Sequence, residues 1–212
     1  MGGIVGKKAG FRYVRRVLNA DREMSELQKY ILSYFGVTHS EAEKIEGLFR
    51  PVEIKKGEFY LHSGGSSRRL GFVQSGILRE YLEVGEKEVT KWISTGGYFA
   101  VDLQSFLFDQ PARWNIQALA DAEVWAMDKH DYLHIAKQVP DWPRLEKLFI
   151  ARCFTALEDR IVDLLALDAQ QRYEVFFSQR RELLNLVPLQ YLASMLGMTP
   201  ETFSRIRKKQ AR

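Results

Sequence analysis

The chain has 212 residues, 46% hydrophobic and 27% charged, so it can bury a sizeable core in one large domain or two small ones. It contains no run of about eighteen apolar residues and no apolar signal-peptide core, so we expect neither a membrane span nor export, and predict a cytoplasmic protein. The single cysteine, Cys153, excludes an intrachain disulfide and any cysteine-clustered zinc or iron–sulfur site.

The formal net charge of +4 is unevenly distributed along the chain. Residues 1–23 carry six Lys or Arg residues against two acidic ones, and residues 199–212 carry five against one. The segment between them, residues 24–198, therefore has a net charge of −4. A basic end on an acidic body is typical of a protein that binds nucleic acid through one element, although charged runs are more often simply solvated faces.

The N-terminal segment differs from the rest of the chain, because an amphipathic helix begins at about Met24. We interpret residues 1–23 as a basic extension, which is either an upstream-start addition or a disordered arm. A second short helix is predicted after the first, capped by Ser40-Glu41-Ala42-Glu43 and ending at Phe49.

Between Pro51 and Met127 the apolar period changes from 3.6 to about 2, with glycine-containing turns such as Ser75-Gly76. Strands this short at such regular spacing predict an antiparallel barrel or sandwich. The predicted strands are Val52–Ile54, Phe59–His62, Leu70–Gln74, Ile77–Val84, Val89–Ile93, Trp114–Leu119 and Glu123–Met127.

Helical periodicity returns at Lys129–Lys137 and then over residues 143–167, where Pro143 suits a first helical turn. Two apolar stripes run along this long helix, so both of its faces should be buried. One stripe can pack on its own β-domain, and the other predicts a homodimer. A fully buried helix in a monomer is the alternative. The predicted dimer residues are Phe154, Leu157, Ile161 and Leu164.

Residues 168–212 have the pattern of a helix-turn-helix domain, opened by a capping box at Asp168-Ala169-Gln170-Gln171. Such a motif needs a small residue where its helices cross and a residue that tolerates positive φ at the turn, which Ala193 and Gly197 supply. Thr199 is a good N-cap for the second helix. The apolar residues that lock the two helices together are Leu192, Leu196, Met198, Phe203 and Ile206.

If Phe203 and Ile206 face inward, the opposite side of the second helix faces outward and can enter the major groove. Arg205 can then bind guanine bidentately and Glu201 can accept from cytosine, although compensation of the helix dipole explains Glu201 equally well. Lysines on this face suit phosphates. The predicted DNA-binding residues are Thr199, Pro200, Glu201, Thr202, Ser204, Arg205, Lys208 and Lys209.

Residues 24–212 resemble the Crp/Fnr family of transcription regulators in the order of β-roll, long helix and terminal helix-turn-helix. The motifs that carry the resemblance are Lys56-Gly57-Glu58, Gly76-Ile77-Leu78-Arg79, Gly97-Tyr98-Phe99 and Leu196-Gly197-Met198-Thr199-Pro200-Glu201-Thr202-Phe203-Ser204-Arg205-Ile206-Arg207. Two departures are the missing iron–sulfur cysteines of the Fnr branch and the short C-terminus, from which we expect no β-hairpin wing.

The resemblance implies an α+β fold in which an antiparallel, jelly-roll-like β-roll sensor domain precedes a dimerisation helix and an all-α helix-turn-helix domain. It gives the division 24–142, 143–167 and 168–212. It also implies a homodimer that binds double-stranded DNA at a palindromic operator, with bases contacted at Glu201 and Arg205, and RNA polymerase as a further candidate partner.

Members of the family that bind cyclic AMP carry a Gly-Glu pair after the G-x-F run and an Arg-Ser pair for the phosphate. Here the aligned pairs are Val101-Asp102 and Ala112-Arg113. Arg113 could bind the phosphate only if the register slips by one. We therefore predict that the β-roll binds an unknown small effector or none, and not cyclic AMP. The candidate pocket residues are Val101, Asp102 and Arg113.

Enzymatic and metal-binding alternatives find little support in the sequence. The four histidines do not alternate on a strand, and His130 and His134 lack the acidic base of an H-E-x-x-H motif. No G-x-S-x-G, P-loop or Rossmann motif is present, so we expect no enzyme activity, cofactor or metal. The remaining alternative is a ligand-sensing or adaptor protein that does not bind DNA.

Overall fold

The computed structural model describes residues 24–210 and confirms the predicted α+β fold. An antiparallel β-roll comes after two N-terminal helices, and a long helix leads from the roll to a C-terminal group of helices. The predicted basic extension, residues 1–23, lies outside the described residues.

Two helices precede the strands, one short helix lies between the last two strands, and residues 129–210 contain helices but no strand. The helices are α1 (Glu26–Phe35), α2 (His39–Glu46), α3 (Leu103–Phe108), α4 (Lys129–His134), α5 (Trp142–Ala166), α6 (Ala169–Arg180), α7 (Leu189–Met195) and α8 (Pro200–Gln210). The strands are β1 (Arg50–Ile54), β2 (Phe59–Leu61), β3 (Arg69–Val84), β4 (Lys87–Ser94), β5 (Phe99–Ala100) and β6 (Asn115–Asp128). Short 3₁₀ helices cover Ile135–Lys137 and Arg181–Asn185.

The two long strands β3 and β6 pair with each other and form the centre of the roll. Each also pairs with two shorter strands, β6 with β1 and β2, and β3 with β4 and β5. All of these pairings are antiparallel, and β4 lies at an outer edge of the sheet. An edge strand leaves backbone N–H and C=O groups available to other elements.

The predicted turn at Ser75-Gly76 is wrong, because the chain continues through it as the single strand β3. Gly76 has φ +89°, and a Cβ at this position would lie 2.4 Å from the Asp121 carbonyl oxygen. The glycine therefore forms part of a bulge, where the register to β6 shifts without ending the strand. The predicted strands Trp114–Leu119 and Glu123–Met127 are likewise one strand, β6.

Three further elements differ from the predictions. The N-cap of α2 is Thr38, which forms a capping box with Glu41, and the helix ends at Glu46 instead of Phe49. The two-residue strand β5 and the six-residue helix α3 were not predicted, because neither is long enough to establish an apolar period. The capping box of Asp168 and Gln171 that opens α6 is confirmed.

The long helix α5 is fixed to the roll by its N-terminal half. Its buried residues are Trp142, Leu145 and Phe149, which pack into an aromatic cluster beneath α1. The Phe149 ring lies 4.9 Å from that of Phe35 and 5.2 Å from that of Phe99. Aromatic pairs at these distances contribute free energy beyond that of the apolar area they bury. This packing therefore fixes the rotation of the N-terminal half of α5 about the helix axis.

Candidate nucleic-acid interface

The helices α7 and α8, joined by a short turn at residues 196–199, are the two helices predicted to form the helix-turn-helix, and the pair keeps that name below. Ala193 is fully buried where the two helices meet, and Gly197 in the turn has φ +63°, a conformation that glycine adopts without steric cost. Thr199 caps α8, since its hydroxyl accepts from the Thr202 N–H at 3.2 Å and its carbonyl accepts from the Phe203 N–H at 3.0 Å. The turn is thus built from the residue types that its backbone requires.

The two faces of α8 differ sharply in burial. Phe203 and Ile206 are buried against α6 and α7, and the Phe203 ring lies 5.2 Å from that of Tyr173. The opposite face is an open, shallow surface lined by Glu201, Ser204, Arg205, Lys208 and Lys209. Thr199 and Pro200 are exposed beside it, while Thr202 is half-buried. All of the predicted DNA-binding residues are therefore at least partly accessible at the same end of the molecule.

Glu201 has a local role in the first turn of α8. The pKa of its carboxyl is lowered because the group accepts hydrogen bonds from its own backbone N–H and from the Thr199 hydroxyl. A carboxylate at a helix N-terminus also compensates the positive end of the helix dipole. Glu201 is therefore ionised at neutral pH and can accept from a base only by exchanging these bonds.

Helix α7 docks on the outer edge of the β-roll. Ser194 joins the open side of β4, where its hydroxyl accepts from the Thr90 N–H at 2.9 Å and donates to the Glu88 carbonyl at 3.3 Å. The Arg79 guanidinium, from β3, lies 3.6 Å from the centroid of the Tyr191 ring on α7. The helix-turn-helix is thus held on the roll by polar and cation–π contacts, and also by an apolar cluster in which Ile77 and Ile93 of the roll are buried with residues of the C-terminal helices.

Arg79 was named from the sequence only as part of the Gly76-Ile77-Leu78-Arg79 motif, and its role in this interface was not predicted. It is only 1% exposed, and it donates to the Thr90 hydroxyl at 2.9 Å and to the Glu88 carboxylate at 2.6 Å. In the sequence it stands in an alternating strand, where a charged residue indicates a solvent-facing position. The sequence of β3 alone cannot predict that Tyr191, more than a hundred residues later, covers Arg79.

Two further arginines, half-buried Arg160 and buried Arg180, lie in the same interface next to Trp92 on β4. Arg160 donates to the Met195 carbonyl at 2.7 Å, and Arg180 donates to the Ile93 carbonyl at 2.8 Å. Burial lowers the pKa of both guanidinium groups. They nevertheless stay charged at neutral pH, since the ordinary pKa of arginine is far above 7.

The predicted dimer residues lie on the face of α5 that the roll does not cover. Phe154 is 60% exposed, Leu157 49% and Ile161 55%, and Leu164 is also exposed. Together with half-buried Ile150 they recur every three or four residues, the spacing of a coiled-coil seam. Half-buried Cys153 lies beside this stripe, where burial raises the pKa of its thiol.

The predicted effector residues have different surroundings from one another. Asp102 is 3% exposed and caps α3, and its carboxylate accepts from the backbone N–H groups of Ser105, Arg113 and Trp114 at 3.0, 2.7 and 3.3 Å. The Arg113 side chain points outward and is exposed. Val101 packs towards the helices, outside the interior of the roll.

Three features of these surroundings bear on whether the roll can hold a cyclic nucleotide. The carboxylate of Asp102 is occupied by backbone donors, and Ala112, buried in the roll core, offers no guanidinium for a phosphate. The interior leaves no room for a side chain at Gly71, where a Cβ would lie 2.8 Å from the Val124 side chain and 2.9 Å from the Tyr60 hydroxyl. That hydroxyl is itself buried without a hydrogen-bond partner among the described residues, and burial raises its pKa.

The described residues add two observations about alternative sites. His130 and His134 are exposed on α4, and His134 Nδ1 lies 2.7 Å from the His130 carbonyl oxygen. Within residues 24–210 no group of three or more His, Cys, Asp or Glu residues is placed to hold a metal ion.

None of the helices in this part of the chain is long and apolar enough to cross a membrane.

Comparisons with known proteins agree with this architecture. Residues 51–139 match the family model of the cyclic nucleotide-binding domain. The c-di-GMP-responsive global regulator CLP from Xanthomonas campestris is 17% identical, with a TM-score of 0.64 over 82% of this chain and 92% of that chain. FixK2 from Bradyrhizobium japonicum is 17% identical, with a TM-score of 0.63 over 77% and 84%.

The catabolite activator protein of Thermus thermophilus is 22% identical, with a TM-score of 0.52 over 83% of this chain and 84% of that chain. At these identities the structural likeness establishes the fold. No curated protein matches the sequence. The chain therefore has the fold of Crp/Fnr-type regulators and contains a cyclic nucleotide-binding domain in the sense of the family model.

Replacing Asp102 by Ala should destabilise the β-roll. Each buried N–H left without a partner costs about 1–3 kcal/mol, and three depend on this carboxylate, so we expect a loss of at least about 2 kcal/mol in chemical denaturation. Asp141→Ala is the control, because Asp141 also occupies an N-cap but makes no capping bond and is exposed. Equal stabilities of the two variants would contradict the structural role of Asp102.

Proposed function

We propose that this chain, which has the fold of Crp/Fnr-type regulators and carries a cyclic nucleotide-binding domain at residues 51–139, is a sequence-specific DNA-binding transcription regulator. The observation that carries the proposal is the exposed face of α8, with one arginine and two lysines opposite a buried apolar face. Selection of bound duplexes from a random pool tests it. A palindromic consensus supports the proposal, whereas no enrichment and no salt-dependent binding would favour an adaptor.

In the proposed complex the N-terminal half of α8 lies in the major groove. Arg205 projects from the exposed face, where a guanidinium can donate two parallel hydrogen bonds to guanine. Lys208 and Lys209 lie one turn later and suit phosphates on the groove wall. Thr199 and Thr202 lie at the N-terminus of the helix, whose backbone N–H groups favour an anion such as a phosphate.

Arg205→Ala should reduce sequence preference more than general affinity. We expect a loss of about 1–3 kcal/mol on the selected operator, concentrated at one base pair, because the bidentate contact is removed. Lys208→Ala should weaken binding to all duplexes alike and flatten the salt dependence. Arg181→Ala is the charge-matched control, because the Arg181 guanidinium lies over Phe177 and Arg181 does not line this face. Equal losses for Arg205→Ala on operator and random DNA would contradict the assignment.

We further propose that the protein acts as a homodimer through the exposed stripe of α5. The stripe continues the same helix whose first half is buried on the roll, so a second copy can bury it without any change in the monomer. Self-complementary pairing about a two-fold axis satisfies both stripes at once. Such a dimer would also place two recognition helices on one duplex.

Introducing Glu at both Leu157 and Ile161 should convert the dimer to a monomer, because two charges per chain would be buried without partners in the seam. Sedimentation velocity at micromolar concentration measures the change. Operator affinity should fall by about 10²–10⁴, the gain that linking two half-site contacts provides. Thr155→Glu, which adds the same charge at an exposed position off the stripe, should remain dimeric. A monomeric wild type would contradict this proposal.

The β-roll is proposed to respond to an effector other than a cyclic nucleotide, or to serve as a scaffold. Isothermal titration with cyclic AMP and cyclic GMP should show no binding in the low-micromolar range. Loss of two charge-assisted contacts at about 1.5–3 kcal/mol each corresponds to at least a hundredfold in affinity. A low-micromolar dissociation constant for either nucleotide would overturn this prediction.

A further inference from the structure

The turn of the helix-turn-helix is fastened to the end of α5 by the side chain of Arg172 in α6. Its Nε donates to the Leu196 carbonyl at 2.8 Å and its Nη2 to the Gly197 carbonyl at 3.3 Å. Its Nη1 donates at the same time to the Leu167 carbonyl at 2.6 Å, just beyond the last residue of α5. One planar guanidinium thus bridges two elements that are almost thirty residues apart in the sequence.

Arg160, on α5 itself, extends this set of contacts. It donates to the Met195 carbonyl at 2.7 Å, so three consecutive carbonyls from Met195 to Gly197 accept from two arginines. These are the last carbonyls of α7 and its turn, which lack partners within the helix. We call Arg160 and Arg172, with these carbonyls, the turn clamp.

Packing supports the same connection. A Cβ on Gly197 would lie 3.2 Å from a methyl group of Leu164, so the turn lies directly against α5. Only two residues separate α5 from α6: Leu167, which is extended, and Asp168, which caps α6. The proposed dimer seam on α5 and the recognition helix α8 are therefore close together. Arg172 is hydrogen-bonded both to the end of α5 and to the turn before α8.

We propose that Arg172, assisted by Arg160, is a positioning residue that sets the distance between the two recognition helices and hence the half-site spacing that the dimer accepts. This inference rests on the proposed function. In a dimer joined through α5, any rotation of the helix-turn-helix about the end of α5 moves both recognition helices relative to the two-fold axis. The turn clamp opposes that rotation at the end of α5, in addition to the contacts that hold α7 on the roll.

Spacing is a sensitive readout of such a constraint. Because of the helical repeat of the duplex, each added base pair moves a half-site by about 3.4 Å and rotates it by roughly 36°. A rigid dimer should therefore tolerate one spacing and lose most of the linkage gain at the neighbouring ones. A dimer with a loosened turn should accept several spacings, each with lower affinity than the best one for the rigid dimer.

The test uses the full-length protein and operators in which the two selected half-sites are separated by spacers that vary in single base pairs. Arg172→Lys keeps the charge but cannot bridge the two elements, because an ammonium lacks the planar fork of a guanidinium. Arg181→Lys, an exposed arginine in the next segment of the same domain, is the matched control. Arg160→Lys is the milder second variant in case Arg172→Lys does not fold. Thermal unfolding and sedimentation confirm that each variant is folded and dimeric.

For the wild type and Arg181→Lys we expect one preferred spacer, with affinity falling by a factor of about 10² when it changes by one base pair. For Arg172→Lys that factor should shrink about tenfold, while binding to a duplex with a single half-site should stay within about twofold of the wild type. A uniform loss on all duplexes would indicate a merely structural role.

Two failures can be distinguished. If the wild type shows no gain from a second half-site, the proposed function as a dimeric DNA-binding protein fails, and the positioning role fails with it. If the wild type prefers one spacer and Arg172→Lys prefers the same spacer with the same tolerance, the positioning role alone is overturned.

Discussion

The rotation of α5 about its own axis is the constraint on which the rest of the molecule depends. Leu145 and Phe149 are buried among aromatic rings of the roll and of α1, and this packing permits one orientation of the helix. The stripe that begins at Phe154 must then face away from the roll, and the last turn must meet the helix-turn-helix at Gly197. The candidate dimer face and the candidate DNA-binding face are therefore fixed by the same apolar contacts.

The contacts between the roll and the helix-turn-helix include many polar ones. Guanidinium groups donate to carbonyls or lie over aromatic rings, and Ser194 completes the open edge of β4. Each such bond replaces a bond to water and contributes a small net free energy. The same interface also buries apolar surface, because Ile77 and Ile93 of the roll belong to one hydrophobic cluster with Tyr173 and Leu192 of the C-terminal helices. The polar bonds therefore add a defined orientation to an interface that apolar burial also stabilises.

Much of this architecture follows from local sequence patterns. The helical periods, the capping box at Asp168 and the requirements of the turn around Gly197 are short-range properties, and the structure contains the corresponding elements. Strand boundaries were less predictable, since Gly76 marks a bulge whose pairing with β6 continues on both sides. The interface arginines could not be predicted, because the burial of Arg79 depends on Tyr191, which the chain brings over it only in the folded state.

The residue at position 112 and the residue at position 102 constrain each other in the interior of the roll. An Ala at position 112 provides no cation, so a carboxylate at position 102 that is 3% exposed must find other donors or remain costly to bury. The backbone N–H groups of Arg113 and Trp114 supply them, and their bonds draw this part of the chain towards the start of α3. The side chain of Arg113 itself is exposed. The burial of Asp102 and the path of the backbone through Arg113 and Trp114 are thus linked by the same hydrogen bonds.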